Sequence, residues 1–396
     1  MTESKKVLSK PAAILKRIPL PTLIIAGLWI IVLILGTTRG QSLITLISDT
    51  IRRFGMWGLL VLAMVPSIQS GTGPNFALPI GIVCGLLAVV CSIELGLTGI
   101  TWLLMAVVLA IAFATILGFL YGKLMNAVKG SEMTIATYSG FSITYFFCIL
   151  WMALPFKSPI MGWMLGSGLR NTLELKQLGA AHIVNNFLGF EFVKVSIPNP
   201  NAPEGVARIV KTLFNPNLSA SSTFLNDMDA TVISRFVFPT GMFLVLAVAC
   251  LLMWMFFRSK SGIAISAVGM NPMFARASGL NVNRSRVTAN ILSTILTAVG
   301  IIIYSQSFGY AQLYDAPLMM SFQAVACILI GGATAQRASI FHVIIGTIIF
   351  QGLLTNGPPV LNNLFPDTDL SEIIRMIVQN GIILYALTLV KGGDEQ

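Results

Sequence analysis

Residues 269–279 read Gly-Met-Asn-Pro-Met-Phe-Ala-Arg-Ala-Ser-Gly and lie between two long apolar stretches. This stretch contains the signals that begin and end a short helix. Asn271 can accept hydrogen bonds from the free amides of a first turn, and Pro272 suits the first helical position because an N–H there would have no partner. Gly279 can adopt the left-handed conformation that closes a helix. We therefore predict a helix of about two turns outside the bilayer, of a kind that docks another subunit.

The rest of the chain has the composition of an integral membrane protein. Of its 396 residues, 55% are hydrophobic and only 10% are charged, a balance that soluble proteins do not have. The formal net charge of +10 could indicate a nucleic-acid partner, but the basic residues lie mainly at the ends of apolar stretches, where they act as topology signals. We therefore expect a multi-pass protein surrounded by lipid, without a nucleic-acid partner.

Ten apolar segments predict an all-α membrane protein of about ten transmembrane helices, with broken or re-entrant segments among them. The segments cover residues 20–38, 55–70, 79–97, 100–121, 134–154, 236–257, 287–308, 318–332, 340–356 and 373–391. Several are shorter than the ~20 residues that a straight spanning helix needs. The predicted organisation is a cytoplasmic segment at 1–19, five helices in 20–154, an extracellular segment at 155–235, and five helices in 236–391 with a cytoplasmic loop at 258–286.

The distribution of lysine and arginine sets the predicted orientation, since both collect on the cytoplasmic side. The N-terminal segment is basic, and the 258–286 loop has five basic residues and no acidic one. Counting ten crossings then places both termini in the cytoplasm. The loops at 309–317 and 357–372, which carry acids and no Lys or Arg, fall outside. Three arginines fall outside against the rule: Arg39, Arg52 and Arg53.

The 155–235 segment interrupts the apolar pattern with mixed charges. It contains alternating fragments such as 190–195, Phe-Glu-Phe-Val-Lys-Val, and a Pro/Asn turn at 198–201, which are typical of short strands and turns. Two interpretations are open. The segment is either a large extracellular loop that covers the spans or a platform for an extracellular partner.

The sequence lacks the patterns of an enzyme. The phosphate-binding pattern Gly-x-x-x-x-Gly-Lys-Ser/Thr is absent, and no Ser/His/Asp arrangement or carboxylate pair indicates hydrolysis. The cysteines and histidines lack metal-ligand spacing, so that no metal site is expected. Ion-coupled transport would require acidic residues inside the spans. The one candidate, Glu94, lies near the outer end of its segment, where a carboxylate at the membrane interface is the favoured interpretation.

The stretch 71–79, Gly-Thr-Gly-Pro-Asn-Phe-Ala-Leu-Pro, breaks the helix within an apolar region, because proline removes a backbone donor and glycine is flexible. Irregular backbone at membrane depth is tolerated where it is buried in protein or lines a watery cavity, and such breaks mark solute paths. A simple cytoplasmic turn is the alternative. A weak repeat places a second glycine pair, at 331–332, after the eighth segment.

Uncharged polar side chains, glycines and one phenylalanine at these breaks and along the spans are the candidate lining of a solute path. They are Gln69, Ser70, Gly71, Gly73, Asn75, Phe76, Asn290, Gln306, Gln323, Gly331, Gly332 and Gln351. Amide and hydroxyl groups suit a neutral polyhydroxylated solute. They are equally common as hydrogen-bonding contacts between membrane helices.

The run from about 238 to 357 resembles the permease subunits of ribose-type sugar ABC importers. The signature is Ala-Val-Gly-Met-Asn-Pro at 267–272, Ala-Arg-Ala-Ser-Gly-Leu at 275–280 and Ile-Gly-Gly at 330–332, with a looser likeness over 55–155. The resemblance implies a type II-like importer permease in a bacterial inner membrane. Related permeases carry nucleosides or furanosides, so that the family does not determine the solute.

The resemblance also implies partners. In that family two permeases form the pore, two separate ATPase subunits bind ATP and magnesium, and an extracellular binding protein delivers the solute, so that no cofactor is expected in this chain. The ATPases dock on the loop matching 269–280. The coupling residues that this implies are Gly269, Asn271, Pro272, Ala275, Arg276, Ser278 and Gly279.

Two departures from the family pattern affect the expected assembly. The family has a Gly-Gly-Ile-Asp-Leu-Ser-Val-Gly-like stretch where this chain has 71–81, and further glycines where it has 333–337. A partner that retains those residues could supply them, so we expect a pore made with a similar but different permease rather than two identical copies. The expected mechanism is alternating access driven by ATP hydrolysis in the partners. The alternatives are a secondary transporter and a membrane scaffold without transport.

Overall fold

The computed structural model describes residues 20–364, apart from 129, 157, 163–167, 199–207, 217 and 219–230, and beyond Leu364 it describes residues 376, 380 and 381. The predicted cytoplasmic segment at 1–19 therefore lies outside the described residues. The predicted tenth span at 373–391 lies almost wholly outside them as well.

The described part of the chain is mostly helical. The helices are α1 (Leu20–Thr38), α2 (Leu43–Leu62), α3 (Met64–Gln69), α4 (Leu78–Glu94), α5 (Gly99–Ala127), α6 (Glu132–Ala153), α7 (Ile183–Asn186), α8 (Thr240–Arg258), α9 (Lys260–Met270), α10 (Pro272–Ala277), α11 (Val282–Phe308), α12 (Ala316–Ile330) and α13 (Ile340–Leu364). The strands are β1 (Thr172–Glu174), β2 (Phe190–Pro198), β3 (Arg208–Asn215), β4 (Thr231–Phe238) and β5 (Tyr310–Gln312).

The helices have the lengths and composition of a membrane bundle. Within the described ranges, six helical stretches are long and apolar enough to cross a membrane: Leu43–Gln69, Gly99–Ala127, Glu132–Ala153, Thr240–Arg258, Val282–Phe308 and Ile340–Leu364. Three shorter apolar helices accompany them, at Thr22–Thr38, Leu78–Glu94 and Ala316–Ile330. The prediction of a multi-pass membrane protein is confirmed, while the count of about ten spans stays a prediction.

The bundle is built around α11, which packs against α5, α4 and α2. Glycines let these helices approach closely, as is common between membrane helices. A Cβ atom at Gly122 of α5 would lie 2.9 Å from Val287 Cα, and one at Gly85 of α4 would lie 2.5 Å from Ala298 O. Side chains larger than hydrogen at these two positions would push α11 away from its neighbours.

Two helices extend furthest beyond their predicted bounds. α2 begins at Leu43 rather than at 55, because its polar N-terminal turns are used by the sheet: Ser48 Oγ accepts a hydrogen bond from Val237 N at 2.8 Å. α13 continues to Leu364 through Pro358 and Pro359 rather than ending at 356. Hydropathy alone missed both extensions because polar residues and prolines end an apolar run before they end a helix.

The segment predicted as extracellular contributes strands to two antiparallel sheets. One has the order β3-β2-β4, and the other pairs β1 with β5. Side chains of β2 alternate between buried and exposed, with Glu191 fully buried against Arg235 of β4 at 2.7 Å. The mostly helical architecture is confirmed, and these sheets correct the expectation that the protein is all-α.

The contacts divide the molecule into two ends. The sheet end holds both sheets, and the pairing of β1 with β5 brings the predicted outer loop at 309–317 onto the 155–235 segment. The short-helix end holds α10, together with the hydrogen bond from Asn126 Nδ2 to Asn283 O at 2.9 Å. Loops that are predicted on the same side of the membrane therefore lie at the same end of the molecule. The cytoplasmic assignment of the short-helix end stays a prediction from the Lys and Arg distribution.

Candidate coupling site

The short helix α10 has the caps that its sequence predicts. Asn271 Oδ1 accepts a hydrogen bond from Phe274 N at 3.0 Å, and Pro272 occupies the first turn. Gly279 adopts a φ of +80°, in the left-handed region that favours glycine. Ala275 is the buried residue of the helix. These local features fix the helix at both ends, so that it can move as a rigid unit.

The outer surface of α10 is apolar. Met273 is 84% exposed and Phe274 is 68% exposed, and Met270 of the preceding helix is 67% exposed. Arg276 and Ser278 lie exposed beside them. Adjacent exposed apolar side chains on a polar segment are typical of a contact surface, and methionine adapts its shape to a partner. The arrangement suits docking of a second protein.

The helix that leads into α10 packs directly on the first glycine break. A Cβ atom at Gly269 of α9 would lie 2.1 Å from Gln69 O, and one at Gly71 would lie 3.0 Å from Gly269 Cα. Gly71 itself has a φ of +75°. Because backbone touches backbone here, α9 has no side chain between it and the break. We call this contact between Gly269 and residues 69–71 the glycine joint.

Hydrogen bonds of Gln69 extend the glycine joint to a third segment. Gln69 Oε1 accepts a hydrogen bond from Ser266 Oγ at 3.0 Å, and Gln69 Nε2 donates to Ala338 O at 2.7 Å. The first bond ties the end of α3 to α9, and the second ties it to the loop that enters α13. These bonds thus join α9, the first break and the loop that enters α13.

The break itself is anchored to the centre of the bundle through Asn75, which is 2% exposed. Asn75 Nδ2 donates to Ser293 Oγ of α11 at 3.0 Å. Asn75 Oδ1 accepts from Tyr121 OH of α5 and from Ala77 N, each at 3.1 Å. The irregular backbone around Asn75 is buried in protein, and both polar atoms of the Asn75 side chain are paired, as membrane depth requires.

The second glycine break follows α12. Gly332 has a φ of +98°, and a Cβ atom at Gly331 would lie 2.0 Å from His342 O. Gly346 of α13 is equally close to α12, since its Cβ atom would lie 1.8 Å from Cys327 O. This break therefore closes α12 onto α13, the next helix along the chain.

The structure brings together only part of the predicted path. Gly73 and Phe76 lie in the first break beside Asn75, and the ring centroid of Phe76 is 6.5 Å from that of Phe322. Gln306 lies far along α11 at the sheet end, where its Oε1 accepts from Val184 N at 3.1 Å. Gln306 is fully buried there, and its assignment to a solute path stays a prediction.

The remaining predicted path residues lie within the bundle. Asn290 is fully buried and donates to Arg286 O at 3.0 Å, while its Oδ1 has no protein partner. Gln323 is half-buried on α12, and Gln351 is buried on α13 with Nε2 3.8 Å from Cys327 Sγ. Their assignment to a solute path stays a prediction.

Sequence reasoning missed the residues that complete the site. Ser266, Tyr121 and Ser293 make the hydrogen bonds to Gln69 and Asn75, but serine and tyrosine within apolar helices carry no local signal of their partners. Glu94, the one candidate for ion coupling, lies exposed and accepts from Ser158 N at 3.3 Å. The interpretation of Glu94 as a carboxylate at the membrane interface stays a prediction. Among the described residues, no group of three His, Cys, Asp or Glu side chains could hold a metal ion.

The chain resembles known permease components along most of its length. Residues 46–387 match the model of the family described as "Branched-chain amino acid transport system / permease component". No solved structure matches the chain.

Curated relatives match over shorter stretches. A nucleoside ABC transporter permease protein of Lactococcus lactis is 22% identical over 176 residues, which is 44% of this chain and 45% of the relative. A galactofuranose transporter permease protein of Escherichia coli is 25% identical over 36% of this chain and 42% of the relative. A xylose transport system permease protein of Haemophilus influenzae is 32% identical over 36% of this chain and 37% of the relative. The chain thus spans less than half the length of these three relatives.

Proposed function

The chain belongs to the family of branched-chain amino acid transport system permease components, and from this premise we propose that it is the membrane-spanning subunit of an ATP-driven importer. We propose a sugar or a sugar-like solute, with a nucleoside or a furanoside included, as its cargo. The names of the relatives, which include nucleoside, galactofuranose and xylose permeases, support this class of solute.

The glycine joint is the observation that carries the proposal. The exposed apolar surface of α10 receives an ATPase subunit, and the caps at Asn271 and Gly279 make the helix move as one body. That displacement passes through α9 to the break at 69–77, since Gly269 lies directly on the backbone of Gln69. Asn75 then transmits it to α11 and α5. Alternating access results from the movement of these central helices.

The other parts of the importer lie in partner chains. ATP and magnesium bind in the ATPase subunits, and a binding protein delivers the solute at the sheet end. The pore is completed by a second permease. A similar but different permease is the proposed partner. The stretches 71–81 and 333–337 of this chain depart from the usual family pattern, and a partner could retain that pattern. In that case, substitution of Asn75 or Gln336 here impairs uptake less than the equivalent change in the partner.

Purification from the native membrane, followed by reconstitution in liposomes, tests the proposal. We expect an ATPase and a second permease to co-purify without crosslinking, and ATP added on the ATPase side to drive uptake of a labelled xylose, galactose or nucleoside probe in the presence of the binding protein. Uptake that needs an ion gradient and no ATP would contradict the proposal and favour a secondary transporter. Full activity from this chain with the ATPase alone would exclude the mixed pore.

A further inference from the structure

A cavity of about 620 Å³ lies at the sheet end, between α2, α7, β4 and the last turn of α11. A volume of this size is typical of small-molecule sites. It lies far from the glycine joint, at the opposite end of the bundle, and none of the coupling residues lines it. The cavity is therefore not part of the proposed coupling mechanism.

Positive charge dominates the cavity. Arg52, Arg53, Lys176 and Arg235 line it, and no carboxylate stands among its described lining residues. Two of these cations have acidic partners that do not line the cavity: Arg235 contacts Glu191 at 2.7 Å, and Arg52 contacts Asp49 at 2.7 Å.

Among the described residues, the other two cations have no acidic partner and leave an excess of positive charge. Arg53 lies over the ring of Phe308, 5.0 Å from its centroid, and Lys176 is exposed. The positive charges of the cavity also act on His182, another lining residue. Burial is the main cause that lowers the pKa of His182; a hydrogen bond with the Ser307 backbone raises it, and the charges of Arg52 and Lys176 lower it further.

Buried polar atoms in the wall lack partners. Asn185 and Ser307 are 7% and 6% exposed, yet Asn185 Oδ1 and Ser307 Oγ have no hydrogen-bond partner among the described residues. Buried polar atoms are normally paired, and since both atoms are closed off from solvent, a ligand in the cavity meets them after the side chains turn toward it. His182 between them has a left-handed φ of +59°, a conformation that is uncommon outside glycine and concentrates at functional sites. These three observations are independent of the charge.

We propose that this cavity binds the phosphate group of a small hydroxylated molecule, with Arg52, Arg53 and Lys176 around the phosphate and the side chains of Asn185 and Ser307 turned toward the hydroxyl groups. Guanidinium forks match the oxygens of a phosphate, and lysine adds a point charge. The excess of two cations matches the charge of a phosphomonoester at neutral pH. The volume holds more than a phosphate alone, which leaves room for the hydroxylated part.

Two sources offer this chemistry: a phosphorylated solute from outside, and the glycerol phosphate headgroup of a lipid. A third occupant, an acidic side chain of a partner protein, would satisfy the cations but would not fill the cavity. The site does not depend on the proposed function, because phosphate binding can be measured on the isolated chain.

The test uses the purified full-length chain in a nonionic detergent without phosphate. Glycerol 3-phosphate is titrated at constant ionic strength, and its dissociation constant is measured by calorimetry, with the melting temperature as a second reading. We expect saturable binding that K176Q and R52Q each weaken by about tenfold, as expected for loss of a charge-assisted contact. Both side chains are exposed, so that these variants are expected to fold. S307A should weaken binding by a smaller factor.

R39Q is the matched control, since Arg39 is an exposed arginine outside the cavity and should bind the probe as the parent does. Nanodiscs of phosphatidylcholine alone, or with phosphatidylglycerol, separate the two sources: competition by phosphatidylglycerol identifies a lipid headgroup, and its absence identifies a free solute. Absence of saturable binding overturns the proposal in favour of a partner's acidic side chain. Equal weakening of probe binding by R39Q and K176Q also overturns the proposal, because the probe would then respond to the overall charge of the protein rather than to the cavity.

Discussion

The two glycine breaks look alike in sequence and make different contacts. Gly71 lies against Gly269, in the helix that leads to the exposed α10, whereas Gly331 lies against His342, in the helix that follows it in the chain. Both hold backbone close to backbone, but only the first connects a central segment of the bundle to a surface helix. The comparison teaches that the partner of a glycine break, rather than the break itself, decides whether motion can pass through it.

The largest expected effect comes from Gly269→Ala. The new Cβ atom would lie 2.1 Å from the backbone oxygen of Gln69, so that α9 must separate from the break. We expect solute-stimulated ATP hydrolysis by the purified complex to fall to its basal rate, with a loss of stability of roughly 3 kcal/mol.

The matched control for that change is Gly346→Ala, at the second break. Its Cβ atom would lie 1.8 Å from Cys327 O, an equally severe overlap with backbone. We expect a similar fall in melting temperature, while the folded fraction keeps its solute-stimulated ATP hydrolysis. Equal loss of stimulation per folded molecule in both variants would remove the distinction between the two breaks.

Arg286→Gln tests the ion pair that braces the short-helix end. Arg286 Nη1 lies 3.1 Å from Glu132 Oε1, with side chains only 8% and 17% exposed. Glu132 Oε2 also accepts from Gly130 N at 2.8 Å. Loss of the cation leaves the charge of a largely buried carboxylate uncompensated. We expect the free energy of unfolding to fall by roughly 2–3 kcal/mol.

Asp49→Asn is the control for this pair, because Asp49 and Arg52 at the sheet end are 35% and 46% exposed. Exposed pairs contribute less than about 1 kcal/mol, so that the melting temperature should hardly change. A larger loss of stability from Asp49→Asn than from Arg286→Gln would show that the Arg286–Glu132 ion pair does not stabilise the short-helix end.

Gly279→Val should separate coupling from folding. The φ of +80° strains a β-branched residue by about 1–2 kcal/mol, although a Cβ atom there would meet nothing within 4 Å. Gly96→Val imposes the same strain in an equally open position, at a φ of +69° near the sheet end. We expect both variants to insert, and only the Gly279 variant to lose ATP-coupled uptake. Uptake that is equal in the two variants would argue against a role for α10.

The smallest expected effect is that of the caps. Asn271→Ala removes the cap of α10, and Asn281→Ala removes the cap of α11, where Asn281 Oδ1 accepts from Arg284 N at 3.0 Å. Each should cost about 1 kcal/mol. Only the first should reduce the ratio of solute transported to ATP hydrolysed. A reduction of similar size from Asn281→Ala would mean that α10 needs no fixed first turn.

The sequence predicted the features of the coupling site that are local. The cap, the proline and the closing glycine of α10 act within a few residues of one another, and all three have the predicted geometry. The break at 71–77 was equally predictable from its prolines and glycines. The glycine joint was not, because Gln69 and Ser266 are 197 residues apart and no local pattern specifies which helices meet.

The sheet end shows the same limit. Alternation along 190–195 indicated a strand, but not its pairing with β3 and β4. Arg52 and Arg53 stood out only as exceptions to the charge rule. Their association with Lys176 and Arg235 around one cavity depends on the packing of elements that are distant in the chain.

A crosslink across the glycine joint tests the central claim most directly. Gln69 Oε1 lies 3.0 Å from Ser266 Oγ, but a cysteine side chain does not reach as far as that of glutamine, so the variant Q69C/S266C is joined with a short bifunctional thiol reagent, and mass spectrometry detects the linked pair of peptides. If the joint passes motion as a rigid contact, the crosslinked complex keeps ATP-driven uptake in liposomes at the level of the complex without the crosslink. Uptake that stops on crosslinking and returns when a reductant cleaves the crosslink would contradict the account, because the two segments would then have to separate during transport.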